Sequence, residues 1–190
     1  YQAHSPDTDT PIEESLRAFD DLVRQGKVRY VGCSNYAGWQ VALALGVSAR
    51  LNLARFDCVQ PRYNLLHREI ESELLPLCRD QGVGVIAYNP LAGGFLTGKY
   101  ADLADVPAGT RFSLGTTGEL YRDRYWHRAQ LDAVAELKRH FGAKGVPLAR
   151  AAVAWVLSRP GVTCAIVGAS RASQLDESLA GAELTFDAQD

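Results

Sequence analysis

Two hydrophobic periods alternate along this chain. Residues 27–33 (Lys-Val-Arg-Tyr-Val-Gly-Cys) and 56–60 (Phe-Asp-Cys-Val-Gln) read as short strands, and 83–88 (Val-Gly-Val-Ile-Ala-Tyr) and 162–167 (Val-Thr-Cys-Ala-Ile-Val) are continuous apolar, β-branched runs bounded by Gly and Pro. The opening Tyr1-Gln2-Ala3-His4 reads as the end of one more. Short runs of this kind suit parallel strands buried on both faces. Between them, apolar residues recur at helical spacing. Thr10-Pro11-Ile12-Glu13 predicts a helix start with Thr10 as N-cap, followed by Leu16, Phe19, Leu22 and Val23 and ended by Gly26. Further helices are predicted over 38–46 and over 67–80, where Ile70, Leu74 and Leu77 form the stripe and Pro76 kinks the helix or restricts its start. Three more are predicted: 126–141 with Leu131, Val134, Leu137 and Phe141 inward, 147–158 through Leu148, Ala152, Trp155 and Val156, and 170–180 with Leu175 and Leu179 inward. Residues 93–124 lack periodicity and are expected to form a long functional or mobile loop.

Strands separated by crossover helices imply an α/β fold with a parallel sheet and right-handed connections. About five strand ends fit the second half of a (β/α)8 TIM barrel, while periodicity alone leaves a doubly wound open sheet as the alternative. The 190 residues suffice for one core but fall short of the roughly 250 residues of a typical complete barrel. No Met occurs and the sequence opens on Tyr1, so the expectation is a C-terminal portion, residues 1–190, of a single barrel domain whose first strands are missing.

Composition narrows the chemistry. A net charge of −2 gives no reason to expect nucleic acid or an anionic membrane surface as partner. No apolar run approaches the ~20 residues needed to cross a bilayer, and no signal pattern leads the chain, so a cytoplasmic protein is expected. The four cysteines lack Cys-x-x-Cys spacing. Cys58 and Cys164 in strand-like runs and Cys78 on an apolar helix face are expected to be buried thiols. His127 and His140 have no second ligand at metal spacing, so no metal is expected.

The residues that follow each strand carry the function. They are His4-Ser5-Pro6, Gly32-Cys33-Ser34-Asn35-Tyr36, Gln60-Pro61-Arg62-Tyr63-Asn64, Tyr88-Asn89-Pro90-Leu91 with Gly93-Gly94, and Gly168-Ala169-Ser170-Arg171. Each alone is ordinary turn chemistry. Together they lie at the C-terminal strand ends, where parallel barrels build active sites.

Tyr-Gln-Ala-His-Ser-Pro-Asp, Val-Gly-Cys-Ser-Asn-Tyr, Val-Gln-Pro-Arg-Tyr-Asn-Leu-Leu, Tyr-Asn-Pro-Leu-Ala-Gly-Gly-Phe-Leu-Thr-Gly-Lys-Tyr and Val-Gly-Ala-Ser-Arg resemble, in order and spacing, successive motifs of the aldo-keto reductases. The likeness runs from His4 to about Leu184 and is greatest to the branch of bacterial reductases and potassium-channel beta subunits. The resemblance implies reversible hydride transfer between NADP(H) and a small-molecule carbonyl or alcohol. His4 matches the His of the family's catalytic Asp-Tyr-Lys-His tetrad and would orient and polarise the carbonyl. The Asp, Tyr and Lys have no matching positions here, so the chain alone is expected to be inactive. Taken by itself, His4 reads as a strand-end residue satisfied by backbone.

Cofactor positions carry over more fully. Ser34, Asn35 and Gln60 match residues that bond the nicotinamide carboxamide, an amide needing a donor and an acceptor side by side. Tyr88 matches the aromatic stacked on the nicotinamide ring. Pro90, Leu91, Gly93, Leu96, Gly98 and Lys99 match the loop over the pyrophosphate, where glycines let N–H groups approach phosphate. Gly168, Ser170 and Arg171 match the site of the 2′-phosphate, a helix N-terminus with a cation beside it. Gln174 and Glu177 match adenine-side contacts, and Ser178 stands where the family has Asn. Tyr121-Arg122-Asp123-Arg124-Tyr125-Trp126 either lines a substrate mouth or packs the long loop. Rival readings are an NADPH-holding regulatory subunit with little turnover, and an unrelated barrel enzyme with a phosphate site.

Overall fold

The apolar runs become strands and the periodic stretches become helices, in strict alternation through the first half of the chain. A computed structural model describes residues 1–187; residues 188–190 of the expected 1–190 unit lie outside the described residues. In order, the elements are β1 (Gln2–Ala3), α1 (Ile12–Arg24), β2 (Val31–Ser34), α2 (Gly38–Leu51), β3 (Phe56–Gln60), α3 (Leu74–Gln81) and β4 (Gly84–Tyr88). Then follow α4 (Gly115–Tyr125), α5 (Arg128–Ala143), α6 (Leu148–Ser158), β5 (Val162–Ile166) and α7 (Ala172–Ala180). The sheet order is β1-β2-β3-β4-β5, with β1 through β4 paired in parallel. A doubly wound sheet reverses its strand order at a switch point. Consecutive order without reversal is that of a (β/α)8 barrel, of which the chain supplies five strands with their helices.

The chain divides into two compact units. The first comprises Tyr1–Tyr63, Arg68–Tyr88 and Pro160–Cys164, and the second Asn64–His67, Asn89–Arg159 and the chain from Ala165 onward. In the first unit every position of β2 is buried, as expected for a strand covered on both sides. Val31 pairs with Phe56, and an irregularity between Val31 and Gly32 then sets Gly32 opposite Cys58. Phe56 is fully buried, its ring meeting Phe19 at 6.0 Å and Tyr36 at 5.8 Å between centroids. Helix α1 turns Leu16 and Asp20 inward. The Asp20 carboxylate accepts the Ala54 N–H at 2.8 Å and pairs with Arg24. These partners hold its carboxyl below the usual carboxylate range, the Ala54 bond contributing most.

The second unit has a core of its own. Phe95, Tyr100, Phe112 and Trp126 form an aromatic cluster with centroid spacings from 4.9 to 5.8 Å, packed in part edge-to-face. Leu131, Val134 and Phe141 of α5 face this core, as predicted.

Several expectations are corrected. Pro11 takes the N-cap position of α1 without a side-chain cap, because the Thr10 hydroxyl donates to Asp7 at 2.8 Å instead. The 27–33 run yields strand only from Val31, since the Lys27 and Val28 N–H groups close the end of α1 on the Leu22 carbonyl. Residues 93–124 are not one loop: they contain a 3-10 turn at Arg111–Ser113 and most of α4, while Gly93 and Gly94 break the 92–97 stretch with non-helical backbone. Leu175 and Leu179 are exposed at 39% and 59%, and Ser178 is the buried residue of α7.

The cysteines also differ from expectation. Cys33 and Cys78 are buried, Cys58 is half-buried and Cys164 is exposed on β5. Burial raises the Cys33 thiol far above its ordinary value and pushes Cys78 up to about 11. Because the thiolate is the reactive species, a disulfide reagent at pH 8 should label Cys164 rapidly in the native protein and leave Cys33 and Cys78 untouched until unfolding. A Cys164→Ser variant should lose the fast phase; retention of that phase would contradict this placement.

Candidate functional site

In the first unit, strand ends meet in one hydrogen-bonded cluster. Ser34 ends β2, Gln60 ends β3 and Tyr88 ends β4, while His4 and Asn35 follow β1 and β2 directly. Parallel pairing with Ser34 opposite Gln60 puts these C-terminal ends side by side. The Ser34 hydroxyl donates to the Gln60 carbonyl at 2.7 Å, and the Asn35 N–H reaches the same carbonyl at 3.2 Å.

Asn35 is the hub. Its Nδ2 donates to the His4 carbonyl at 2.9 Å and to the Ser34 Oγ at 3.1 Å, and its Oδ1 accepts the Tyr88 hydroxyl at 2.9 Å. Its φ is 61°, the left-handed region in which Asn is among the most tolerated side chains. Gln60 Nε2 donates to Gln2 Oε1 at 2.8 Å. That engages one of the two Nε2 hydrogens and leaves Oε1 available as an acceptor, so Gln60 can still offer a donor and an acceptor to an external amide. The Tyr88 ring is half-buried and held by its hydroxyl. The His4 side chain is exposed. Gln2, on β1 itself, belongs to no sequence motif that marks it as a site residue, and it joins the cluster only through the register of the sheet.

The second unit holds the remaining candidates. From Asn89 to Gly98 the backbone turns tightly, with positive φ at Asn89 (65°), Ala92 (50°), Gly93 (69°), Gly94 (97°) and Gly98 (68°). The glycine N–H groups are engaged within the segment: Gly93 donates to Asn89 Oδ1, Gly94 to the Leu91 carbonyl and Gly98 to the Phe95 carbonyl. In this conformation the glycines supply shape, not donors. Added Cβ atoms would strike Tyr121 at 2.5 Å from Gly93 and Lys138 at 2.9 Å from Gly98. Pro90 is buried and Leu96 fully so, leaving the backbone as the part of Leu96 that can meet a ligand. Leu91 is half-buried, and Lys99 is exposed with Nζ 5.0 Å from the Tyr100 ring centroid. A cavity of about 510 Å³ lies between residues 98–101 and α5.

At the start of α7, Arg171 occupies the N-cap position and the helix begins at Ala172, two residues later than the 170–180 stretch predicts. The reason is Gln174, whose Oε1 accepts both the Ser170 N–H at 2.9 Å and its hydroxyl at 3.0 Å. Gln174 thus fixes the approach to α7, and Glu177 pairs with Arg150 at 3.2 Å. The Ser178 hydroxyl donates to the Gln174 carbonyl. Gly168 and Arg171 are exposed in the turn that precedes the helix. Among the described residues no group of His, Cys, Asp or Glu side chains could hold a metal ion, and no helix is long and apolar enough to cross a membrane.

The model of the aldo/keto reductase family matches residues 1–190. Among curated proteins, the oxidoreductase YrpG of Bacillus subtilis is 38% identical over 187 residues, covering 98% of this chain and 54% of that protein. A probable voltage-gated potassium channel subunit beta of Arabidopsis thaliana is 39% identical over 177 residues, covering 93% of this chain and 53% of its own. The human aldo-keto reductase family 7 member A3 is 36% identical over 195 residues, covering 96% of this chain and 59% of its own. The chain spans about half the length of the curated relatives it matches.

Proposed function

This chain belongs to the aldo/keto reductase family, a family of oxidoreductases, and from that premise we propose that it is the C-terminal portion of an NADP(H)-dependent reductase that converts an aldehyde or ketone to an alcohol. The observation that carries this reading is the Ser34–Asn35–Gln60–Tyr88 cluster at the C-terminal ends of β2 to β4. When bound, the cofactor supplies the hydride. Gln60 offers its open amide atoms to the nicotinamide carboxamide. Asn35 acts chiefly by fixing its neighbours, because its own amide is fully engaged. Tyr88 presents a ring held at a set height by Asn35, a flat support for the nicotinamide. His4 would orient the substrate carbonyl. The 89–98 turn, with Lys99 beyond it, would lie over the pyrophosphate; Arg171 would meet the 2′-phosphate. The four free thiols support a reducing, cytoplasmic setting.

A second reading, an NADPH-holding regulatory subunit, is favoured by the 39% identity to the plant channel subunit. Turnover separates the two: carbonyl-dependent oxidation of NADPH by the full-length protein supports the enzyme, and tight binding without turnover supports the subunit.

Arg171 provides the sharper test. A charge-assisted contact to phosphate contributes roughly 1.5–3 kcal/mol, about tenfold to a hundredfold in affinity. Arg171→Ala should therefore weaken NADPH binding by that factor and leave NADH nearly unchanged, titrated in the full-length protein at fixed salt because the contact is screened. Equal losses for both cofactors would assign Arg171 to the fold or the pyrophosphate. No loss for either would leave it in solvent.

A further inference from the structure

The Tyr121–Trp126 segment, open between two roles in the sequence, has a defined place at the end of α4. Tyr125 is almost fully buried, and its hydroxyl oxygen is a shared acceptor. Asn64 Nδ2 donates to it at 3.1 Å, and so does Asn89 Nδ2 at 3.1 Å. The second Nδ2 hydrogen of Asn64 reaches the Asn89 carbonyl at 3.0 Å, and Asn64 Oδ1 accepts the Leu66 N–H at 2.9 Å. Asn89 Oδ1 accepts the Gly93 N–H at 2.8 Å, while the Asn89 carbonyl also takes the Ala92 N–H at 2.9 Å. The Asn64 amide is thus fully used, Asn89 spends Oδ1 and one Nδ2 hydrogen, and residues 64–66, 89–93 and α4 meet at one phenol oxygen.

The segment so held is the most strained in the unit. Asn89 and Ala92, both with side chains, sit at positive φ, a conformation that persists only where surrounding bonds over-determine it. The Asn89 side chain is the brace: one end fixes Gly93 and the other is fixed by Tyr125. We propose that Tyr125 is the positioning residue of the 89–98 segment, holding it in the cofactor-binding shape through Asn64 and Asn89 without itself touching cofactor. This inference rests on the reading that 89–98 lies over the pyrophosphate of NADP(H). It makes cofactor affinity depend on α4, whose sequence carries no ligand-binding signature.

Tyr125→Phe keeps the ring and removes the shared acceptor, leaving two buried amide hydrogens unpaired. In the full-length protein two readouts are compared. The first is amide hydrogen exchange at Gly93 without cofactor, expected to accelerate about tenfold or more as the brace loosens. The second is NADPH affinity, expected to fall about tenfold, mainly through faster release. Asn89→Ala, which removes the brace at both ends, should accelerate Gly93 exchange and weaken NADPH binding at least as much. Adding Tyr125→Phe to Asn89→Ala should change the two readouts little further, because the bond by which Tyr125 holds the brace is already gone. Leu16→Ala, a core truncation on α1 in the first unit, serves as control: it should lower stability and leave both readouts unchanged. Unchanged Gly93 exchange in Tyr125→Phe overturns the inference. Faster exchange with unchanged NADPH affinity would show that 89–98 does not hold the cofactor, overturning the inference together with that assignment. A wild-type protein that fails to bind NADPH would defeat the proposed function itself and the inference that rests on it.

Discussion

Phe56→Ala is expected to lower the stability of the protein by about 3–5 kcal/mol, the usual cost of emptying a fully buried aromatic site. Phe56 opens β3, pairs with Val31 in register and fills the space between Phe19 and Tyr36. The loss should appear as a lower urea midpoint with an unchanged slope, since the exposed surface on unfolding is little altered. Phe56→Leu retains most of the apolar volume and should cost less than half as much. A midpoint that moves no further for Ala than for Leu would show that the site collapses freely and that the ring does not set the packing.

Asn35→Ala should have the next largest effect, about 2–4 kcal/mol, and on two properties at once. Three side-chain bonds disappear, the buried Ser34 hydroxyl and the Tyr88 hydroxyl each lose a partner, and Ala is left at a φ of 61°. Gly at this position relieves the backbone and not the bonds, so Asn35→Gly should be milder in stability. Asn35→Asp keeps the acceptor for Tyr88 and loses both donors. If the cluster holds the nicotinamide end, cofactor affinity should follow the number of bonds lost, with Gly and Ala alike and Asp less affected. Affinity that instead tracks stability alone, with Gly closer to wild type than Asp, would remove Asn35 from the site.

Most of the architecture could be read from the apolar runs. Phe56–Gln60 emerges with its predicted bounds, because Phe56 and Val59 favour a strand and Pro61 ends it. Elsewhere local rules were overridden by neighbours. Helix α4 carries Gly115, Thr116, Thr117 and Gly118 and has no apolar stripe. It forms because Gly118 can pack its Cα against the Phe112 carbonyl and Arg122 bonds the same carbonyl, contacts that no periodicity encodes. In α7 the spacing of Leu175 and Leu179 shows that they share a face, and only the structure shows that the covered face is the one bearing Ser178. The candidate residues lay within motifs visible in the sequence. Their couplings did not: Asn64, Asn89 and Tyr125 are neighbours only through the fold.

The strand order has a consequence for how the chain assembles as it is made. Each of β1 to β4 meets its neighbour after one short crossover, so these pairings close small loops and form early. The pairing of β4 with β5 is different, since residues 89–161 separate the two strands. At about 5–20 residues per second, a ribosome takes roughly 4–15 s to synthesise that stretch. Throughout that interval the outer edge of β4, where the Val85 N–H later meets the Thr163 hydroxyl, has no strand beside it. An uncovered parallel edge invites pairing with another chain. The nascent protein is therefore vulnerable to aggregation at this edge once β4 has emerged, and Val162–Ile166 ends that exposure.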